Sequence, residues 1–191
     1  MRRLAYAMNV SLDGYTAGPD DDLSWGTPSD ELFQWWSDRV GATELALYGR
    51  RVWEAMSAHW PTADQQPGVT AAHAAYAERW RRMPKVVFAT TSVPIDDHQA
   101  RLVTGDPLEE IRRLKTGDGG PMDVVGATLA GAAVRAGLVD ELVVVTHPAV
   151  IGGGTPYLPP LERELSLTLL ETRTFAEGIV LTRYDVLGGE R

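Results

Sequence analysis

Twice in this chain an apolar, strand-like run ends on a glycine and passes directly into a helix-like segment. The first is LALYG-RRVWEAM, with Gly49 at the junction; the second is MDVVG-ATLAGAAVRAGL, with Gly126. Such a join leaves no room for a hairpin. Each strand must cross over through a helix before the next one pairs, and crossovers of that kind give parallel neighbours. The sequence around these two joins repeats the alternation. A first strand is expected over residues 3–10, a long turn-rich loop over 11–25, and a helix beginning at TPSDELFQWW, with Thr27 or Ser29 as its cap and Asp30 and Glu31 matching its dipole. Strand 44–48 and helix 50–57 follow, then an Ala-rich helix over 69–82 and a strand over 84–92. ARLVTGD reads as a short strand, and PLEEIRRLKTGDGG as a helix opened by Pro107 and closed by glycines. After the second join, DELVVVTHPAVIGGG is a strand breaking into three glycines, and the tail forms a hairpin about Ala176, Glu177 and Gly178. The expected architecture is α/β: a mainly parallel central sheet, helices on both faces, and an antiparallel hairpin at the end. No linker or repeat divides the chain, so residues 1–191 read as one domain.

Composition removes several classes of function. The formal net charge of −8 argues against a general affinity for nucleic acid or an anionic membrane. The absence of cysteine excludes disulfides, thiolate nucleophiles and cysteine zinc sites. Polar Asn9, Ser11 and Asp13 arrive too early for a signal-peptide core. No apolar run approaches the roughly 18 residues of a membrane helix, so a soluble, cytoplasmic protein is expected. His59, His73, His98 and His147 show no metal-ligand spacing and read as structural or exposed.

In an open α/β sheet, ligands bind outside the carboxyl ends of the strands. That rim collects the 11–25 loop, Gly49–Arg51, Thr90–Ser92, Gly126–Thr128 and the loop 146–154. A glycine at a helix start lets a ligand approach backbone N–H groups that favour phosphate, and two such starts could hold both ends of a dinucleotide. Tight strand-to-helix turns also take glycine for steric reasons alone. Arg50 and Arg51 stand at the positive end of a helix dipole, where cations are unfavourable unless an anion meets them. They are phosphate ligands, an exposed pair, or an ion pair with Glu54. Thr91 and Ser92 offer hydroxyls beside them. Asp30 and Glu31 are either proton donors turned to the cleft or dipole-matching residues on a wet first turn.

These pieces resemble the dihydrofolate reductase-like family, in the branch that holds the riboflavin-pathway pyrimidine reductase domains. VSLDGYTAG, LYGRRVWEAM, VVGATLAGAAVRAGLVDEL and VTHPAVIGGGTPYL carry the resemblance in order along nearly the whole chain. It implies an NADPH-dependent reductase that passes hydride to a small pterin-like or ribosylaminopyrimidine-like ring. Cofactor contacts are then implied at Ala7, Gly14, Gly49, Arg50, Arg51, Thr91, Ser92, Gly126, Ala127, Thr128, Leu129 and Gly153. Val52 stands where the family usually has threonine, and Ala127 where it has a second glycine. Substrate contacts are implied at Asn9, Trp25, Asp30 and Thr146, with Asp30 as proton relay and Thr146 as its support. No metal is implied, and no deaminase segment accompanies these motifs. The branch suggests a homodimer formed through the Ala-rich helix or the final hairpin. Two other readings share the fold: a nucleotide-binding or sensor module without catalysis, and a flavin-dependent oxidoreductase.

Overall fold

The computed structural model describes residues 1–95 and 99–188, so His98 and the last three residues of the expected domain lie outside the described residues. In chain order the strands are β1 (Leu4–Ser11), β2 (Tyr15–Ala17), β3 (Leu45–Gly49), β4 (Lys85–Phe88), β5 (Ala100–Val103), β6 (Met122–Val125), β7 (Glu141–His147), β8 (Thr155–Pro156), β9 (Ser166–Thr174) and β10 (Val180–Leu187). The helices are α1 (Asp30–Ala42), α2 (Arg50–His59), α3 (Ala71–Arg82), α4 (Pro107–Thr116) and α5 (Ala127–Arg135). One eight-stranded sheet runs in the order β5-β4-β3-β6-β1-β7-β10-β9. Its first six strands are mutually parallel, and β10 pairs antiparallel with both β7 and β9. The expected parallel sheet with a terminal hairpin is therefore what the chain forms.

Strand parity decides what covers each face. Leu4 and Tyr6 of β1, Leu47 of β3, Val124 of β6 and Leu142 of β7 point one way, against Ile111 of α4 and Leu129, Ala133 and Val134 of α5. The intervening residues point the other way. Ala7, Val143 and Val145 meet Leu32 of α1, while Ala46, Tyr48 and Val87 meet Trp53 of α2 and Trp80 of α3. Strands buried on both faces lose the alternation of a half-wet strand, which is why LALY and LVVV read as continuous apolar runs. The two indoles of Trp53 and Trp80 stack at 6.0 Å, and Trp80 Nε1 donates to the Tyr48 hydroxyl at 3.1 Å, so both large rings are packed without leaving the polar atom of Trp80 stranded.

Three local expectations change. The loop 11–25 contains β2, which pairs with β8 and ties the loop to the glycine-rich segment after β7. That pairing needs Gly154: a Cβ there would lie 2.1 Å from the Ala17 carbonyl oxygen. The strand expected over 84–92 stops at Phe88; the Ala89 N–H still reaches Val103 O of β5, and beyond it the chain leaves the sheet. Thr90, Thr91 and Ser92 are exposed residues beyond the strand. Of the two candidate caps for α1, Ser29 is the one used, its side chain accepting the Leu32 N–H at 3.3 Å.

Away from the carboxyl edge, α1 is pinned by charge. Arg39 pairs with Asp123 and approaches Glu141, and Thr43 Oγ1 donates to Asp123 at 2.7 Å. Asp123 and Glu141 flank Ala5 in register, so this row bridges three strands beneath the helix.

Candidate active site

Along the carboxyl edge, β4, β3, β6, β1 and β7 lie side by side, and each contributes residues to one continuous rim. From β4 to β1 is three strand spacings, about 14 Å.

Two helix starts, those of α2 and α5, differ from the other three. Ser29 caps α1, Thr70 caps α3 and Asp106 caps α4, each accepting first-turn N–H groups through its side chain. Gly49 and Gly126 supply no such acceptor, and neither α2 nor α5 has an acidic residue in its first turn. Their unsatisfied N–H groups leave two positive helix ends on adjacent strands. The two turns also touch. A Cβ on Gly49 would lie 3.5 Å from Leu129 Cβ, and one on Gly126 would lie 2.7 Å from Val52 Cγ2. Gly126 has φ 101°, a conformation that favours glycine, so backbone and space both require it. Val52 thus has a packing role against the second turn, Leu129 is buried in the core through its side chain, and Ala127 and Thr128 present backbone at the start of α5.

Arg50 realises the ion-pair alternative: Nε lies 2.7 Å from Glu54 Oε1. The same guanidinium donates to Thr91 Oγ1 at 3.2 Å, so cation and hydroxyl converge from β3 and β4. Arg51 reaches back to Asp21 at 3.3 Å and is widely exposed. Ser92 is exposed beside Thr91.

At the other end of the rim, the Gly14 N–H donates to Ser11 O at 2.9 Å, closing the turn after β1. Asp13 accepts the N–H groups of Ile151 and Gly152 at 3.2 and 2.8 Å, fastening the loop of Gly153 to that turn. The Ser11 hydroxyl, followed by those two backbone donors, holds the Asp13 carboxyl below its usual range. Ala7 is buried under α1, and Asn9 Oδ1 accepts from Trp36 Nε1 at 3.2 Å. Trp25 Nε1 donates to Asp22 O at 3.2 Å, and its ring meets His147 edge-on at 5.6 Å.

Two expected substrate-side residues are not brought together. Asp30 opens α1 in an exposed position, so the burial that would suit it to proton delivery is absent, while its neighbour Glu31 pairs with Arg173 at 2.7 Å. Thr146 pairs in register with Val10, on the face turned to α5, whereas α1 covers the opposite face. A one-residue step reverses a side chain in a strand. It is His147 that points to the α1 side. Of the other described histidines, His59 is exposed and His73 stacks on Phe33 at 3.8 Å.

The model of the RibD C-terminal domain matches residues 2–181. The chain belongs to that family. This RibD C-terminal domain is 28% identical over 187 residues to the uncharacterized protein YyaP of Bacillus subtilis (strain 168), covering 96% of this chain and 94% of that protein. Its fold is similar to a putative riboflavin biosynthesis protein from Shewanella sp. PV-4 (TM-score 0.70, 18% identity, full coverage of both chains). It is also similar to a dihydrofolate reductase from Enterococcus faecalis complexed with NADP(H), with a TM-score of 0.62, 11% identity, and coverage of 97% of this chain and 96% of that one. The dihydrofolate reductase-like fold expected from the sequence is thereby shown. Among the described residues no helix is long and apolar enough to cross a membrane, and no group of three or more His, Asp or Glu side chains could hold a metal ion.

Proposed function

We propose that this RibD C-terminal domain is an NADPH-dependent reductase of a small pterin-like or ribosylaminopyrimidine-like ring. The observation that carries the reading is the pair of touching, uncapped helix starts on neighbouring strands, with Arg50 and Thr91 converging at one end of the rim. Two helix ends favour two phosphates, and a guanidinium beside a hydroxyl suits a third, monoester phosphate such as the 2′-phosphate that separates NADPH from NADH. The residues present therefore fit the group. Gly49, Ala127 and Thr128 would hold the pyrophosphate through backbone N–H groups, Arg50, Thr91 and Ser92 the 2′-phosphate, and Ala7, Gly14 and Gly153 the nicotinamide end. The bound nucleotide supplies hydride; the chain supplies position and electrostatics. Asn9 and Trp25 would border the ring substrate, on the face covered by α1.

Single-turnover absorbance tests the reading: NADPH bound to the protein is mixed with dihydrofolate or ribosylaminopyrimidines and its nicotinamide band is followed. Loss of the band with one ring class supports a reductase. A specific observation favours the second reading, a nucleotide-binding module: Asp30 is exposed, and Val52 spends its side chain on packing against Gly126. Tight NADPH binding with an unchanged band across the whole panel would establish that module instead. The homodimer belongs to the same proposal. Edge strand β9 exposes Leu167, Leu169 and Leu170, and sedimentation of a monomer at assay concentration would remove that element.

A further inference from the structure

The rim holds a buried polar side chain that the reductase reading leaves idle. Beneath α1, past the Asp123–Glu141 row, the sheet face is apolar, with Ala7, Val143, Val145 and Leu181, and turns polar again at the carboxyl edge through Asn9, Ser11 and His147. Two of these three are engaged. Asn9 Oδ1 accepts from Trp36, and Ser11 Oγ accepts the Tyr15 N–H at 3.0 Å. His147 differs. It is 3% exposed, and its Nε2 has no hydrogen-bond partner among the described residues. A stranded buried polar atom costs on the order of 1–3 kcal/mol, which leucine or phenylalanine at this position would avoid. The ring is closed off from solvent, in part by Trp25, which meets it at right angles from the loop that borders the cleft. Register sets it beside Ser11 and diagonal to Asn9, four and two residues beyond Ala7 along the neighbouring strand.

We propose that His147 is a catalytic residue of this site, donating from Nε2 the proton that accompanies hydride transfer to the ring substrate. The assignment rests on the reductase reading. As hydride from the reduced nicotinamide forms a C–H bond at the carbon of a substrate C=N unit, the π pair moves onto nitrogen. That nitrogen takes the Nε2 proton, and neutral imidazole remains, to be reprotonated from water. The nucleotide is oxidised by two electrons and the ring reduced by two. Charged groups on the elements around His147 are Glu177 in the β9–β10 turn, the Glu31–Arg173 pair joining α1 to β9, Asp30 on α1, and Asp22 on the Trp25 loop. Burial lowers the imidazole from its ordinary value, and Glu177 opposes that shift. Because the protonated ring is the donor, turnover should fall as pH rises through a value below 6.5.

The test compares wild type with His147→Gln in two measurements. In single turnover with saturating NADPH, wild type should lose about tenfold per pH unit above that value, while His147→Gln should be about a hundredfold slower at low pH and show no such limb. NADPH affinity of the variant should stay within about threefold, since His147 lies on β7, two strands from the start of α5 and three from the start of α2 with Arg50. A variant that keeps the rate and the limb overturns the assignment and leaves the reductase reading standing. The second measurement needs no turnover. The His147 signal, identified in histidine-selective nitrogen-15 spectra by its loss in the variant, should change its titration when a folate or pyrimidine ring is added with NADP. A titration that no ring ligand alters overturns the assignment even where NADPH binds. Failure of NADPH to bind overturns the reductase reading, and this assignment with it.

Discussion

Replacing Gly126 with alanine strikes the contact that sets the spacing of the two helix starts. The residue has φ 101° and ψ 128°, where a side chain is strained, and holding a non-glycine residue there costs about 1–3 kcal/mol. The new Cβ would lie 2.7 Å from Val52 Cγ2, roughly 1 Å inside an ordinary carbon–carbon contact. Overpacking of that kind costs about 1–3 kcal/mol more. Gly126→Ala should therefore destabilise by about 2–6 kcal/mol, read as a lower urea midpoint with an unchanged slope. Trimming the neighbour separates the two causes. In Val52→Ala/Gly126→Ala the clash is gone and the backbone strain remains, so the double-mutant cycle should return about 1–2 kcal/mol of favourable coupling. NADPH affinity should fall in Gly126→Ala and partly recover in the double variant, because the N–H groups of α5 move with the turn. A Gly126→Ala protein within about 0.5 kcal/mol of wild type would refute this reasoning. So would a cycle with no coupling, since it would mean that the turns do not bear on each other.

Asp123→Ala should destabilise by about 2–4 kcal/mol in urea unfolding, because it leaves Arg39, whose side chain is 15% exposed, with only the longer contact to Glu141 at 3.8 Å and takes the acceptor from Thr43. Glu110 gives a pH signature: Arg113, then Arg101, hold its carboxyl at about 2, below the ordinary value of 4.5. A depressed carboxylate stabilises above its unfolded value and loses that contribution as pH falls, so the advantage of wild type over Glu110→Gln should be present at pH 6 and vanish between about 4.5 and 2 in pH-dependent melts. Because both arginines are substantially exposed, solvent screening keeps it to about 1 kcal/mol or less.

The fold was legible wherever a junction forced it. LALYG-RRVW and MDVVG-ATLA allow only strand–helix crossovers, and those two joins order half the sheet. Ala176–Gly178 likewise marks the hairpin that β9 and β10 form. The candidate site was legible where chemistry coincides with a join, as at Gly49, Arg50 and Gly126. It was illegible inside β7. Both faces of that strand are buried, so LVVVTH carries no apolar–polar alternation from which to read which way each residue points. The strand pattern therefore could not say which of Thr146 and His147 faces α1; the resemblance implied Thr146, and His147 read as structural or exposed. Register with Val10 and Ser11 puts Thr146 on the α5 face and His147 on the α1 face. Asp30 shows a different limit: a helix N-terminus attracts carboxylates whether or not a cleft is near, so its position in the sequence could not tell the dipole from a proton relay. Arg39, Asp123 and Glu141 are far apart in the chain, and nothing local marks them as partners.

The most direct measurement is calorimetric titration of NADPH and NADH into wild type and Arg50→Ala at one ionic strength. A charge-assisted contact to phosphate contributes about 1.5–3 kcal/mol, so wild type should prefer NADPH by about 10- to 150-fold. Arg50→Ala should erase most of that preference while leaving NADH affinity within about threefold. Equal affinity of wild type for the two nucleotides, or no binding of either, would contradict the proposal that this rim holds NADPH.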